Sequence, residues 1–554
     1  MRTSALRSLA RSAAVCLLTA IYLAGCVGPP PPEDFDPPEQ SIGERLFLET
    51  RFAEYFAANM TDINAPLAVG DPVVSRIQNI NGAPMAGPFA GQSINCRSCH
   101  FVDEFQGVPN AGNRTYSDFT TRSPIPQAMN GFTLTPRNAM QMVGSLQTHS
   151  GPTFLHFDGE FATPEDLVRA TLTGRNFGWA PDQFQQALTH VARVIREDNG
   201  RGSLAANYGN LSYATTFLGT AKHTPVQFRL PPQYRLDVST ASDEQILDLV
   251  ARLISQYLRS LLFQQDQQGR YIGSPYDVFL KINSLPRQPD PGETGAQYVQ
   301  RLAQAVNALP NPKFVDGTLG KFQFHAQPFS FGATELQGLK IFLAGAAGSA
   351  DGSQHAGNCA SCHIPPNFTD FRFHNTGVSQ QEYDDANGLG AFLALGIPSL
   401  AARSANYDAY LPATANHPNA SERFRRAATN SNPQFADLGL WNIYLNPDVP
   451  YPQTNLNSIV CANSQNCTVD QGLPATVAQF KTPMLRDLED SAPYFHNGSK
   501  PRFDDVVNFY IASSQLARAG LLRNPPAEFQ AMSISSADVS ALSAFLAALT
   551  EDYN

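Results

Sequence analysis

Cys96-Arg97-Ser98-Cys99-His100 has a twin far downstream, Cys359-Ala360-Ser361-Cys362-His363. Cys-x-x-Cys-His is the attachment pattern of haem c. Two thiols one turn apart reach both vinyl groups of one porphyrin as thioethers, and the next His sits under the iron as proximal ligand. The two copies use four of only eight Cys, so a chance match is rare. Half a zinc site or a dithiol redox pair would draw on the same residues. Zinc would need further Cys or His at matching spacing, and neither copy has them nearby.

The flanking sequence repeats as well. Gly43-Glu44-Arg45-Leu46-Phe47 begins an apolar-periodic helix before the first motif, and Ala333 to Leu343 reads as a helix before the second. Leu134-Thr135-Pro136-Arg137-Asn138 is echoed by Thr482-Pro483-Met484-Leu485-Arg486-Asp487. The Asp158-Gly159 turn is echoed by Asn497-Gly498. A helix starts near Pro164. Ser242-Asp243-Glu244-Gln245 is a capping-box start to a helix with Ile246, Leu249, Val250, Leu253, Ile254 and Tyr257 on one face. Ser536-Ala537-Asp538 caps a last apolar helix. The order helix, haem motif, Arg-Asn/Asp, Asx-Gly turn, closing helix thus occurs twice, which predicts an internal duplication. The expected fold is mostly α, with two tandem cytochrome c-type domains that each bind one covalent haem c.

Length and address frame that expectation. The 554 residues suffice for several domains. A net charge of −10 without a basic tract gives no sign of nucleic-acid binding. Arg2, Arg7 and Arg11 precede an apolar run from Ala13 to Gly25, too short for a stable membrane span and typical of a secretory signal. It ends Leu23-Ala24-Gly25-Cys26, which looks like a bacterial lipobox with Cys26 as the lipidated residue; an uncleaved anchor or ordinary signal cleavage are the alternatives. Pro29 to Pro38 holds six prolines and reads as an extended tether. The expected layout is 1–25 signal, 26–40 tether, 41–265 N-terminal haem domain, 266–330 connector and 331–554 C-terminal haem domain. The destination is the periplasmic face of a Gram-negative bacterium, lipid-anchored at the outer membrane. Cys461 and Cys467 remain, either as a small-loop disulfide in an oxidising compartment or as two thiols. Inserted stretches at 52–94, 266–332 and 403–466 carry no readable code.

Ordered this way, the residues resemble the diheme bacterial cytochrome c peroxidase family, which includes MauG. The resemblance runs from about Ser41 and is strongest in Gly338 to Phe342, Cys359 to His363, Asn367 to Gly377 and Lys481 to Gly498. It implies that His100 is proximal ligand of a peroxide-reactive haem and His363 that of an electron-storing haem. It implies Tyr510 as sixth ligand of the second haem, where the peroxidases carry Met; phenolate favours high-valent iron and Met favours electron transfer. Read alone, Tyr510 is one more aromatic of the helix starting at Phe503, with Met484 and Met532 as rival ligands. The resemblance also implies Ca²⁺ held by the Asn138 side chain and backbone oxygens of Ser491 and Pro493; a turn-stabilising Asn is the plain alternative.

Three departures follow from the same alignment of motifs. No His lies between His100 and Asn138, so an open reactive haem is expected. The family's bridging Trp maps to Phe157, which is harder to oxidise. Its distal Glu maps near Asn176, which hydrogen-bonds but cannot serve as general acid or base. Trp179 either lines that pocket or belongs to the core. The implied activity is H2O2 reduction, or its use to oxidise a partner, with a small cytochrome or other redox protein as electron partner. An O2-dependent diheme oxygenase like the rubber oxygenases and a non-catalytic diheme electron carrier are the alternatives.

Overall fold

The computed structural model describes residues 36–74, 93–100, 122–126, 133–147, 149, 151–322, 325, 327–345, 355–460 and 469–551. The signal, Cys26, most of the tether, and the Cys461 and Cys467 pair lie outside the described residues. The architecture is mostly helical. Its named strands, Phe373–His374 and Phe480–Lys481, form one short antiparallel pair. No described helix is long and apolar enough to cross a membrane.

Two helix pairs organise the chain. Helix Pro38–Phe47 crosses helix Asp243–Ser260, and helix Ala333–Leu343 crosses helix Val539–Ala547. Each crossing is made close by a glycine. A Cβ on Gly43 would collide with the Leu253 carbonyl, and one on Gly338 with the Ala541 carbonyl. The apolar residues that follow, Leu46 and Phe47 in one half and Ile341 and Phe342 in the other, are buried at 3 % exposure or less. The same Gly-x-x-aliphatic-Phe grammar therefore builds the same helix crossing twice. The opening helix begins earlier than the periodicity suggests. Pro38 ends the proline run as the first helical residue, where its fixed φ suits the helix and its missing N–H costs nothing.

Three hydrophobic cores result. The first gathers residues from Ile42 to Tyr271, including Leu188, Val191, Leu253 and Trp179. The second joins the Ala333–Leu343 and Val539–Ala547 pair to helices Pro275–Ile282 and Gly295–Asn307. The stretch expected as a connector thus packs into this core through Tyr276, Phe279, Tyr298 and Leu302. The third core is built largely from the inserted stretch: Tyr407, Leu411, Phe424, Leu438, Trp441 and Tyr444 pack together, with Phe154 and Phe373 at its edge.

The third lobe is pinned to the N-terminal half by buried charge. Arg137 donates to both oxygens of Asp437 at 2.6 and 2.9 Å and pairs with Asp158 at 2.5 Å. Arg425 pairs with Glu160, and Arg175 with Glu422. The second Arg of the sequence echo behaves differently. Arg486 is fully buried and pairs with Asp277 of the former connector at 3.0 Å, not with the Asn497-Gly498 turn.

Candidate functional site

Each Cys-x-x-Cys-His motif forms a single 3-10 turn followed by its His. At Cys96–Ser98 the turn is capped by Asn95, whose side chain accepts from the Ser98 N–H. The Asn95 amide also donates to the Leu48 carbonyl, tying the motif to the end of the opening helix. At Cys359–Ser361 the preceding Asn358 takes a left-handed conformation and its amide donates to the Glu528 carbonyl. Neither Cys pair is closed as a disulfide. Burial pushes the Cys96 and Cys359 thiols up to about 12. Thiols held protonated are poor nucleophiles, which speaks against a dithiol redox pair.

The two histidines are held alike at Nδ1, and His363 has a second backbone contact, to Pro483. His100 Nδ1 lies 2.9 Å from the Met140 carbonyl, and His363 Nδ1 lies 2.9 Å from the Phe368 carbonyl. A carbonyl only accepts, so Nδ1 carries the proton and Nε2 keeps its lone pair. Burial pushes His100 down to about 4 and lowers His363 too, so both rings are neutral near pH 7. Phe368 reaches its position with a φ of 56°, a conformation uncommon for a non-glycine residue. Its ring is wholly buried against Tyr276, Phe342 and Phe545. Packing therefore fixes the carbonyl that fixes the His.

A cavity of about 280 Å³ opens beside the second motif. Its walls include Cys359, Cys362, His363 and Tyr510, together with Asn138, Met140, Phe157 and Phe480. Tyr510 comes from helix Phe503–Arg518, and its ring packs on Phe495, Phe509 and Phe529. Burial raises its phenol well above the ordinary value. Met484 and Met532, the rival ligands, line the same cavity. His374 stands nearby, its Nε2 2.7 Å from Asp370. A largely apolar chamber with a neutral, oriented His and two thiols suits a porphyrin.

The predicted calcium residues also meet at this wall. The Asn138 amide donates to the Pro493 carbonyl at 2.6 Å, and its backbone N–H donates to the His496 carbonyl at 2.7 Å. Its Oδ1 is buried with no partner. Ser491 and Pro493 line the same cavity. A buried acceptor with nothing to accept from fits an oxygen-seeking cation beside it.

The distal trio separates. Phe157 lines the cavity, and its ring meets His496 edge-on with centroids 6.3 Å apart. Asn176 instead lies exposed on the short turn Arg175–Phe177. Trp179 is core: 4 % exposed, it donates its indole N–H to the Phe52 carbonyl at 3.2 Å and packs near His190. With its indole N–H spent on the backbone, Trp179 takes the core position, the second of the two readings open to it.

Sequence reading gave no role to Tyr271 or Lys481. Tyr271 hydroxyl meets the side-chain oxygens of Gln147 and Asn367, so it joins the segment that orients His100 to the loop that orients His363. Lys481 sits in the cavity wall at the seam of the two halves. Among the described residues, Cys362, His374 and Glu528 form one group of potential ligands, and His156, Asp158 and Glu160 another. The second is crossed by Arg137 and Arg425, whose charges oppose a cation.

No family model matches the chain. A curated relative, cytochrome-c peroxidase IdrP2 from Denitromonas iodatirespirans, is 27% identical over 194 residues. Over that stretch the chain is similar to a cytochrome-c peroxidase. The match spans about a third of each partner, 35% of this chain and 36% of the relative. Among solved structures, a MauG-like protein associated with microbial copper homeostasis aligns over 96% of both chains at 14% identity and a TM-score of 0.41. The diheme peroxidase BthA from Burkholderia thailandensis aligns over 94% of this chain and 87% of its own at 16% identity and 0.35. Likeness at that level is too low to define a fold relationship.

Proposed function

We propose that this protein is a periplasmic, lipid-anchored diheme oxidoreductase that reduces H2O2, or uses it to oxidise a partner, through two tandem cytochrome c-type domains at about 41–265 and 331–554. The observation that carries the reading is the matched pinning of His100 and His363 by backbone carbonyls at 2.9 Å. Such hydrogen bonds set the tautomer and strengthen the ligand nitrogen. When bound, haem iron supplies the redox chemistry: peroxide takes two electrons and two protons to become water.

The chain's own residues do the rest. Cys96 and Cys99 hold one porphyrin, Cys359 and Cys362 the other, each as thioethers. His100 and His363 offer Nε2 from the proximal side. The electron partner is a small cytochrome or other redox protein. Tyr510, which lines the cavity, would serve as the further ligand of the second haem. Asn138, Ser491 and Pro493 offer oxygens to one Ca²⁺ between the halves. Phe157 occupies the seam as a hydrophobic spacer, so charge exchange across it is slower than through Trp.

Haem staining of the denatured chain, followed by spectra of the ferric protein during stoichiometric H2O2 addition, tests the reading. Two covalent haems and rapid loss of a high-spin signal are expected. Two haems whose spectra ignore peroxide would sink the peroxidase reading and favour an electron carrier.

A further inference from the structure

Lys481 lines the cavity with no carboxylate set against it among the described residues. Arg137, Arg425 and Arg486 are each set against a buried carboxylate, and His374 against Asp370. The Lys481 Nζ donates instead to the Phe154 carbonyl at 2.8 Å. Burial, with no neighbouring charge set against it, pushes the amine down to about 8. An ammonium withdrawn from water and held by a single neutral oxygen is costly unless an anion completes the site. Two N–H donors remain beyond the one given to Phe154. Lys481 is also firmly placed: it lies on the strand Phe480–Lys481 beside Phe373–His374, and its backbone N–H donates to the Phe157 carbonyl at 2.7 Å.

We propose that Lys481 is the seat for a carboxylate of the prosthetic group in this cavity. This rests on the haem reading above and deepens it. The carboxylate is a porphyrin propionate, supplied by the group at His363 or by the group at His100, since Lys481 stands where the two halves meet. The contact joins the cofactor, the Lys481 backbone and the Phe157 segment in one hydrogen-bonded chain. Cofactor uptake thereby fixes the seam between the haem sites.

The test is redox titration of the purified holoprotein with the two haems followed separately by EPR. Lys481→Met removes a cation that favours the reduced state, so one haem shifts to a more negative midpoint potential. Lys481→Arg restores it, and Lys313→Met, on the exposed surface, moves neither. The haem that shifts identifies the source of the carboxylate. Lys481→Gln, which keeps a donor for the Phe154 carbonyl without the charge, shifts the same haem and serves if the Met variant fails to mature. A lower unfolding midpoint with both potentials unchanged overturns the proposal, leaving Lys481 as a structural anchor. Wild-type protein without covalent haem would instead overturn the functional reading itself.

Discussion

Replacing Arg137 by Met separates the charge pin from everything else at the seam. Arg137 is 6 % exposed and is shared between Asp437 at 1 % and Asp158 at 0 %. Burial alone would raise the Asp437 carboxyl, but the charge and hydrogen bonds of Arg137 outweigh it and hold the group at about 2. A shift from the ordinary 3.8 to about 2 corresponds to about 2.4 kcal/mol. Because the folded value is depressed, that stability is fully present above pH 3.8 and is lost as pH falls towards 2. Removing Arg137 leaves two carboxylates in the interior without it, and breaking a buried pair from one side costs about 3–5 kcal/mol. Without its cation, Asp437 keeps only the Gly439 N–H and the neighbouring His496 against the cost of burial, and its folded value rises from about 2. The variant therefore loses less stability than the wild type as pH falls from 3.8 towards 2. Urea unfolding midpoints across pH 2 to 7 measure both effects. A loss under about 1 kcal/mol with an unchanged pH profile would refute the claim that this pair fastens the third lobe to the N-terminal half.

Tyr510→Met should raise the midpoint potential of the second haem, since thioether ligation stabilises ferrous iron, and redox titration reads this directly; an unchanged potential removes Tyr510 from the ligand set. Cys96→Ser/Cys99→Ser and Cys359→Ser/Cys362→Ser should each reduce the covalent haem content from two to one in a pyridine haemochrome assay. Gly338→Val forces a side chain into the Ala541 backbone and should cost about 1–3 kcal/mol in thermal or urea unfolding, with Gly43→Val behaving alike in the N-terminal half. Calcium chelation should lower the unfolding temperature of the wild type and leave Asn138→Ala unaffected; equal responses would dismiss the cation site.

What the sequence made legible is what local pattern encodes. The capping box at Ser242, the helix over Ala333–Leu343 and the turns at the two Cys-x-x-Cys-His stretches stand where spacing put them. Each is decided by residues within one or two turns of one another. The third core and the charge pins escaped because their partners are remote: Arg137 and Asp437 are 300 positions apart, Arg486 and Asp277 are 209. The two echoed arginines share a motif but not a partner: Arg137 pairs with Asp158 and Asp437, Arg486 with Asp277.

The same contrast explains the seam. Substituting Phe157 for the family's Trp reads as a lost conductor when only the linear motif is in view. Folded, Phe157 is held by its carbonyl on the Lys481 N–H, one residue from the Phe480 ring that stacks on His496 at 3.6 Å. Under the proposed function, a phenyl ring here, harder to oxidise than an indole and fixed by backbone contacts, would slow the exchange of oxidising equivalents between the two haems. Restoring the indole with Phe157→Trp should accelerate that exchange in freeze-quench EPR without moving either midpoint potential.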